Sequence, residues 1–312
     1  MTIYLENGNV IEEATRDRST YIGGSDIAAI LGISKYKTAL DVYNAKVNGK
    51  SKDDCLLFRL GRHMEPLILD IYVEKMGDNF FEHMIFDFNV YSKEFPFFGA
   101  QLDFLGYNCK DGIVIADAKN VKSFRYKEFG GEGTCDIPFD IICQVAWQRY
   151  LTGAHHVDIP VFFAEQTELK IFSYYEDKDM ESSIASAAMS FWQNHVLARV
   201  EPEPQNEEDL RQIYPVSRSN EIRVGASIYQ KIQSMKSLKA EVKELEEAIN
   251  GIEFEIKKCF EDGDVMKHGD DIIATFKSHE ANRLDSKLLE KERPEIYQAY
   301  LKKSTQRPLR LK

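Results

Sequence analysis

Two aspartates and a lysine lie close together in the sequence, around a short apolar run. Thirteen residues separate Asp103 from Asp117, and Lys119 follows two positions later. On a β-strand, Asp117 and Lys119 would project to the same side while Ala118 points into the core. Because Mg²⁺ prefers oxygen ligands, the two carboxylates and the Ala118 backbone carbonyl predict a metal site. A lysine beside a metal can orient or deprotonate a water and stabilise charge on a phosphate, although the same spacing also arises by chance on charged hairpins.

Three other segments contain polar residues whose ordinary interpretation is structural. Glu65, in GRHMEP, is ordinarily interpreted as a solvated glutamate on a helix. Gln144 and Gln148 are four residues apart, as in the polar stripe of an amphipathic helix. In YIGGSD, a glycine turn precedes Ser25 and Asp26, either of which is a favourable helix N-cap. Considered one at a time, each segment favours this structural interpretation.

The periodicity of the chain predicts the elements that would position these residues. Residues 80–120 are rich in aromatic and β-branched side chains between turn signals and predict three or four strands. Helical spacing predicts helices at about 56–76 and from Pro138 to the cap at Gly153. The segments VDIPVFFAE and LKIFSYYE predict a further strand pair. We therefore expect an α/β (α+β) fold, with a central mixed sheet flanked by helices.

Composition excludes several classes of protein. The 312 residues are 43% hydrophobic and 29% charged, which excludes a disordered chain. With 40 basic and 51 acidic residues the net charge is −11, so any nucleic-acid contact must rely on a local basic groove. The five cysteines form no C-x-x-C pair, which argues against a zinc ribbon, an iron–sulfur cluster or a secreted disulfide scaffold. With no apolar run of about 18 residues and no signal-peptide pattern, we expect a soluble protein of a reducing compartment.

A change in composition divides the chain. The segment EPEPQNEEDL is acidic and almost free of apolar residues, so we predict a first domain over 1–200 and a linker over 201–220. Residues 221–312 are predicted to be a helical region with a short β-hairpin at VMKHGDDIIATFK. Apolar residues recur at two heptad positions between 228 and 256, which predicts either a coiled coil or a helical hairpin.

Taken together and in order, five segments carry a specific resemblance. They are IGGSDIAAILGISKY, GRHMEP, LDFLG, DAK and QVAWQRYLTG. The chain resembles the YqaJ-like viral recombinase family, relatives of phage lambda exonuclease in the PD-(D/E)XK nuclease superfamily. The resemblance covers about residues 18–195, and it implies a restriction-endonuclease-like nuclease core in the first domain. The C-terminal segment resembles the tail of YqaJ-type proteins with less specificity.

The resemblance implies roles for individual residues. Asp103 and Asp117 would be metal-binding acids, Lys119 the catalytic lysine, and Glu65 a metal-facing acid from the helix. The remaining implied roles are Gln144 as the glutamine that closes the site and Arg18 with Ser25 as a pocket for a DNA 5′-phosphate. This sequence departs from the family pattern in two places: LDFLG replaces the more usual PDG, and an aspartate stands at 117 where the ExK signature has glutamate.

The implied activity is a Mg²⁺-dependent 5′→3′ exonuclease on linear double-stranded DNA, with Mn²⁺ as a substitute, that leaves 3′ single strands for recombination. The implied partners are DNA ends, a single-strand annealing protein and two further copies in a homo-trimeric ring, with no membrane. The implied location is the cytoplasm of a bacterial host, with a phage or prophage gene. Two alternatives stay open: a repair or CRISPR-adaptation nuclease of the same superfamily, and a non-catalytic scaffold that binds DNA ends. Whether one metal or two would act also stays open.

Overall fold

An eight-stranded mixed sheet forms the centre of the first part of the chain. The computed structural model describes residues 2–50, 56–77, 80–302 and 306–312. Its strands are β1 Thr2–Tyr4, β2 Val10–Glu12, β3 His83–Tyr91, β4 Gly99–Asn108, β5 Gly112–Ala116, β6 Lys119–Val121, β7 His156–Phe163 and β8 Glu168–Tyr175. The spatial order is β1-β2-β3-β4-β5-β7-β6, and β8 also pairs with β7. Strands β5 and β6 both run parallel to β7, whereas the other pairs are antiparallel.

Helices flank this sheet. They are α1 Gly24–Ile30, α2 Ala39–Val47, α3 Leu56–Met76, α4 Phe139–Thr152, α5 Lys178–Phe191, which continues as a π-helical turn over Trp192–Leu197, and α6 Glu207–Ile213. Thr38 and Asp41 form a reciprocal capping box at the start of α2. Helix α4 starts after Pro138 and ends at Gly153, whose φ of 65° is the left-handed conformation that glycine adopts easily.

The sheet is buried between helices. In β5, Val114 and Ala116 belong to a cluster packed on α3, while Ile115 between them belongs to a larger cluster that includes α4. Because alternate residues of a strand face opposite sides, the two clusters lie on opposite faces of the sheet. Trp147 of α4 is fully buried, and its indole N–H donates to the Gly99 carbonyl at 2.9 Å. The predicted α/β class, with a mixed sheet flanked by helices, is therefore confirmed.

The predicted linker starts too early. The chain divides into two compact units at Ile213 and Tyr214, so helix α6 lies inside the first unit. Asp209 of α6 is 1% exposed, and its carboxylate accepts hydrogen bonds from the Thr38 hydroxyl and the Gln205 backbone N–H, both at 2.9 Å. The acidic composition of 201–210 is typical of a solvated segment, but this hydrogen-bonded aspartate attaches it to the first unit.

The second unit contains one long helix and smaller elements. These are α7 Ala226–Lys258, β9 Val265–His268, β10 Asp271–Thr275, α8 Ser286–Glu292 and α9 Pro294–Tyr300. Strands β9 and β10 form the antiparallel pair expected at this point of the sequence. Because α7 is unbroken, the heptad segment does not fold back on itself as a helical hairpin. Across the described ranges, no helix is long and apolar enough to cross a bilayer.

Candidate active site

The strands β4, β5 and β6 bring the predicted acids and the lysine together. Asp103 lies on β4, Asp117 follows the last residue of β5, and Lys119 is the first residue of β6. Strands β4 and β5 are antiparallel, with Phe104 opposite Ala116, so Asp103 and Asp117 meet at the same end of the pair. Asp103 Oδ2 accepts a hydrogen bond from the Ala118 backbone N–H at 2.9 Å. The three side chains are thus fixed by sheet backbone.

Two glutamines of α4 hold Asp117 from the opposite side. Its Oδ1 accepts hydrogen bonds from Gln144 Nε2 at 2.8 Å and from Gln148 Nε2 at 2.7 Å. Its Oδ2 contacts Lys119 Nζ as an ion pair. Lys119 also donates to Gln144 Oε1 at 3.3 Å, so the Gln144 amide bridges the acid and the lysine. The sequence predicted Gln144 through the resemblance but missed Gln148, although their spacing of four residues on one helix was a usable signal.

Burial and mutual charge perturb the ionisation of this group. Burial raises the pKa of Asp103, and the negative charge of Asp117 adds to this, so that the pKa reaches about 8. Burial lowers the pKa of Lys119, but the charges of Asp117 and Asp103 more than offset it, and the pKa is raised. The lysine is therefore a stable cation, while the two aspartates repel each other in a site of low polarity.

Glu65 of α3 is a further acid close enough to interact with this group. Burial raises its pKa, the charge of Lys119 opposes this, and the charge of Asp117 adds to it, which places Glu65 within electrostatic reach of both. No group of three or more His, Cys, Asp or Glu side chains among the described residues is arranged to hold a metal. The role of Glu65 as a metal ligand therefore stays a prediction.

Asp158 of β7 supports the group from behind. Its backbone carbonyl accepts from the Asp117 N–H at 3.0 Å. Its buried carboxylate accepts from the hydroxyls of Tyr72 and Ser173, each at 2.7 Å. Because Tyr72 lies two turns after Glu65 on α3, one residue of β7 fixes both the helix of Glu65 and the backbone of Asp117.

A second cluster of charged residues surrounds the N-terminus of α1. Arg18 Nη2 lies 3.4 Å from Ser25 Oγ, as the resemblance predicts. The N-cap of α1 is Gly23, and not Ser25 or Asp26 as predicted. Asp26 is the third residue of the helix, and its carboxylate accepts from the Gly23 N–H at 3.1 Å. The same carboxylate forms ion pairs with three cations, at 2.5 Å with Lys37, 2.9 Å with Lys46 and 3.6 Å with Arg18.

This cationic cluster carries more positive charge than its single acid can balance. The Lys46 side chain is only 2% exposed, whereas Arg18 is 45% exposed and available to a ligand. A Cβ at Gly23 would lie 2.2 Å from Arg18 Nη1, so glycine is required for the guanidinium to rest on the backbone. Sequence reasoning missed Asp26, Lys37 and Lys46, whose separation along the chain gives no periodic signal.

The two clusters are neighbours. A Cβ at Gly24, the residue before Ser25, would lie 3.1 Å from Gln144 Cγ. Gln144 in turn contacts Asp117 and Lys119. The N-terminus of α1 therefore packs against helix α4, which contacts the acidic cluster of Asp103, Asp117, Glu65 and Lys119.

Comparisons with known proteins find similarity over the part of the chain that contains these residues. Residues 15–155 match the model of the YqaJ-like viral recombinase domain. An uncharacterized protein YqaJ of Bacillus subtilis (strain 168) is 26% identical over 301 residues, which covers 93% of this chain and 90% of that protein.

Two solved structures are similar at low identity. An alkaline exonuclease from Laribacter hongkongensis is 14% identical with a TM-score of 0.46, over 58% of this chain and 90% of that one. A phage-related exonuclease from Haemophilus somnus 129PT is 11% identical with a TM-score of 0.39, over 58% of this chain and 96% of that one. The segment that matches the family model contains every residue of the two clusters, so both clusters lie in the part of the chain that is similar to the YqaJ-like viral recombinase domain.

Proposed function

We propose that this protein is a metal-dependent exonuclease that digests linear double-stranded DNA from 5′ to 3′ and leaves 3′ single strands for recombination. The match of residues 15–155 to the YqaJ-like viral recombinase domain supports a nuclease or recombination function in general. One observation carries the finer proposal: Lys119 is held between Asp117 and Gln144, with Asp103 fixed beside them through the Ala118 N–H. Buried acids next to a cationic lysine are the groups that phosphodiester hydrolysis needs.

The donor set fits a divalent cation such as Mg²⁺, with Mn²⁺ as a substitute. Asp103, Asp117 and the Ala118 carbonyl would hold it, with Glu65 approaching from α3. Mg²⁺ usually takes one or two carboxylates and completes its shell with waters and substrate phosphate, so two aspartates suffice. Apart from the Lys119 ion pair, Asp117 Oδ2 is buried and accepts no hydrogen bond from the described residues. A bound cation would neutralise charge on the scissile phosphate and lower the pKa of a coordinated water.

The surrounding residues define what the protein itself contributes. Because its pKa is raised, Lys119 stays protonated and is suited to stabilise phosphate charge and orient the water, rather than to remove a proton. Gln144 holds the lysine by its amide oxygen and Asp117 by its amide nitrogen. Water would attack phosphorus and the 3′-oxygen of the released nucleotide would leave as the P–O bond breaks. The two Gln144 contacts would hold the Lys119 ammonium in a fixed position beside the phosphate during the reaction.

The cationic cluster supplies the direction of digestion. A terminal 5′-phosphate carries more negative charge than an internal phosphodiester, and the exposed Arg18 guanidinium beside Ser25 can bind it through charged hydrogen bonds. Since Gly24 packs on Gln144, an end held by Arg18 lies next to the acidic cluster. The pocket would therefore favour 5′ ends and would retain the DNA after each cut.

The proposed reaction product suggests a protein partner. Digestion of one strand exposes a 3′ single strand, which is the substrate that an annealing protein would take. The resemblance to lambda exonuclease also suggests a ring of three copies around the DNA, which would keep an acidic protein on its substrate by topology. Both stay proposals that rest on the exonuclease activity.

A digestion assay on linear duplex DNA tests this function. Wild-type protein should degrade 5′-phosphorylated ends faster than 5′-hydroxyl ends, with Mg²⁺ or Mn²⁺ and not with a chelator. Lys119→Ala and Asp117→Ala should each reduce the rate by about 10²-fold or more while the fold is kept. Lys110→Ala is the matched control, because Lys110 is exposed in the turn between β4 and β5.

Other outcomes separate the alternatives. A rate above about a tenth of wild type in either active-site variant would contradict the assigned roles. Binding of DNA ends without any digestion would favour the non-catalytic scaffold. Cleavage that requires a nick, flap or branch instead of a free end would favour a repair nuclease of the same superfamily.

A further inference from the structure

Helix α7 exposes an apolar stripe along its whole length. Leu238, Leu245 and Ile252 are 60–64% exposed at one heptad position. At the other position lie Ile228, Met235, Val242, Ile249 and Ile256, of which all but Met235 are 43–61% exposed. No side chain of α7 is buried in the described structure. A helix of 33 residues that leaves such a stripe exposed presents an apolar surface of the kind that marks an interaction site, and a second helix with a matching stripe would cover it.

The stripe is complementary to itself when the chain direction is reversed. In an antiparallel coiled coil, the first heptad position of one helix faces the fourth position of the other. One register places Val242 opposite Leu245 of a second copy. The same register pairs Leu238 with Ile249 and Met235 with Ile252, each twice by two-fold symmetry. The central three layers on each side of the axis are then wholly apolar.

Charged residues beside the stripe select this register. They are Lys239 and Glu246, which occupy the fifth heptad position, and this position faces its equivalent across an antiparallel pair. In the register above, each Lys239 lies opposite Glu246 of the second copy. A shift of one heptad in one direction places Glu246 opposite Glu246 of the second copy. A shift in the other direction places Lys239 opposite Lys239 of the second copy. Both shifted registers therefore bring like charges together.

The parallel arrangement is disfavoured by the same residues. In a parallel pair the seventh heptad position of one helix faces the next fifth position of the other. This would place Glu241 opposite Glu246 of the partner twice, whereas the antiparallel register places Glu241 opposite Ala248. Like charges at these positions destabilise a coiled coil.

We propose that α7 is a dimerisation element that pairs antiparallel with α7 of a second copy of this chain, with Lys239 opposite Glu246. The inference is independent of the nuclease activity. Antiparallel pairing associates two copies of the chain. It therefore gives either a dimer or, where three copies already form a ring, a hexamer of two rings.

The test is the mass of the full-length protein in sedimentation equilibrium at micromolar concentration. Wild type should have the mass of two or six chains. Glu246→Lys should weaken the α7 contact about tenfold, because it replaces two attractive contacts with two repulsive ones, and halve the mass at limiting concentration. Lys239→Glu should act alike, and the double variant Lys239→Glu/Glu246→Lys should restore the wild-type mass.

Matched variants keep the test decisive. Glu244→Lys makes the same charge change on the outer side of α7 and should leave the mass unchanged. Leu245→Asp places a charge in the apolar seam and should abolish pairing, with helicity by circular dichroism to show that the first unit is folded. Tighter assembly of Glu246→Lys would establish a parallel pair. A monomeric or three-chain wild type, or a mass that Leu245→Asp does not change, would show that another segment or another protein covers the stripe.

Discussion

The two charged clusters of the first unit are opposite in sign and similar in design. In the first, acids surround one lysine; in the second, cations surround one aspartate. The acidic cluster consists of Asp103, Asp117, Glu65 and Lys119, and the cationic cluster of Arg18, Lys37, Lys46 and Asp26. Neither cluster is neutral by itself. The acidic cluster is suited to receive a cation and the cationic cluster to receive an anion.

The clusters differ in how their central charge is satisfied. Asp26 accepts from Gly23 and from three cations, so its negative charge is stabilised by the fold. Asp103 accepts one backbone N–H and faces Asp117, so its negative charge is opposed by the fold. Removing the charge of each aspartate should therefore have opposite effects on stability. The cationic cluster is therefore balanced around its acid by the fold, whereas the acidic cluster keeps unbalanced negative charge that the proposed cation would offset.

The largest expected effect comes from Asp103→Asn. The amide oxygen can still accept from the Ala118 N–H, but the charge that a metal needs is lost, so DNA digestion should fall by about 10²-fold or more. In a chelator above about pH 8, where Asp103 is ionised, the same variant should unfold at a higher denaturant concentration than wild type, because a buried charge and its repulsion with Asp117 are removed.

Asp111→Asn, in the turn between β4 and β5, makes the same chemical change outside the cluster. It should alter neither digestion nor the denaturation midpoint. If Asp103→Asn were less stable than wild type in the chelator, the acidic cluster would not be strained and the comparison would fail.

Asp26→Asn should act in the opposite direction on stability. Breaking a buried ion pair leaves an uncompensated charge, here the almost fully buried Lys46, and we expect a loss of about 3 kcal/mol in the free energy of unfolding at pH 7. Urea denaturation measures this difference. Asp70→Asn, on the exposed side of α3, is the control and should change the free energy little. Equal midpoints for Asp26→Asn and wild type would mean that the cations need no central acid.

Wild type and Asp26→Asn should also differ in how their free energy of unfolding depends on pH. Burial raises the pKa of Asp26, but the charges of Lys37, Lys46 and Arg18 outweigh it and hold the pKa well below 3.8. A lowered aspartate pKa gives stability that is fully present above the unfolded pKa and is lost as pH falls below it. The stability gap between wild type and Asp26→Asn should therefore be constant from pH 7 to about 5 and shrink below about 4. Urea titrations at each pH test this, and a gap that widens in acid would reverse the sign.

The sequence predicts the acidic cluster better than the cationic one, for a physical reason. Lys119 lies two residues after Asp117, and strand periodicity turns that local spacing into a common face. Asp103 is the residue opposite Asp117 across the β4–β5 turn, so its position follows from pairing of adjacent strands. Local chain geometry thus determines most of the cluster. The helix residues Glu65 and Gln144 required the family resemblance.

The cationic cluster depends on tertiary packing. Lys37 precedes α2 and Lys46 lies in its last turn, yet both reach Asp26 of α1. No periodic pattern predicts that two helices will place lysines on one carboxylate. The linker prediction failed for a similar reason, since Asp209 is buried in the first unit and accepts a hydrogen bond from Thr38, which is distant in the sequence. Composition indicates solvation, but it does not show that a distant partner is present.

The smallest expected effect concerns Arg18, which is the most exposed cation of the cationic cluster. Arg18→Ala should reduce the preference for 5′-phosphorylated over 5′-hydroxyl ends by about tenfold, because charged hydrogen bonds to the terminal phosphate are lost while catalysis at Lys119 is untouched. The measurement is the ratio of the two digestion rates under one condition. Arg16→Ala is the matched control: Arg16 stacks on the Tyr91 ring and pairs with Glu12 at 2.6 Å, so its carboxylate partner is not Asp26. An equal loss on both kinds of end would show that Arg18 supports the fold and does not select the phosphate. The cationic cluster would then be a structural counterpart of the acidic cluster instead of a second binding site.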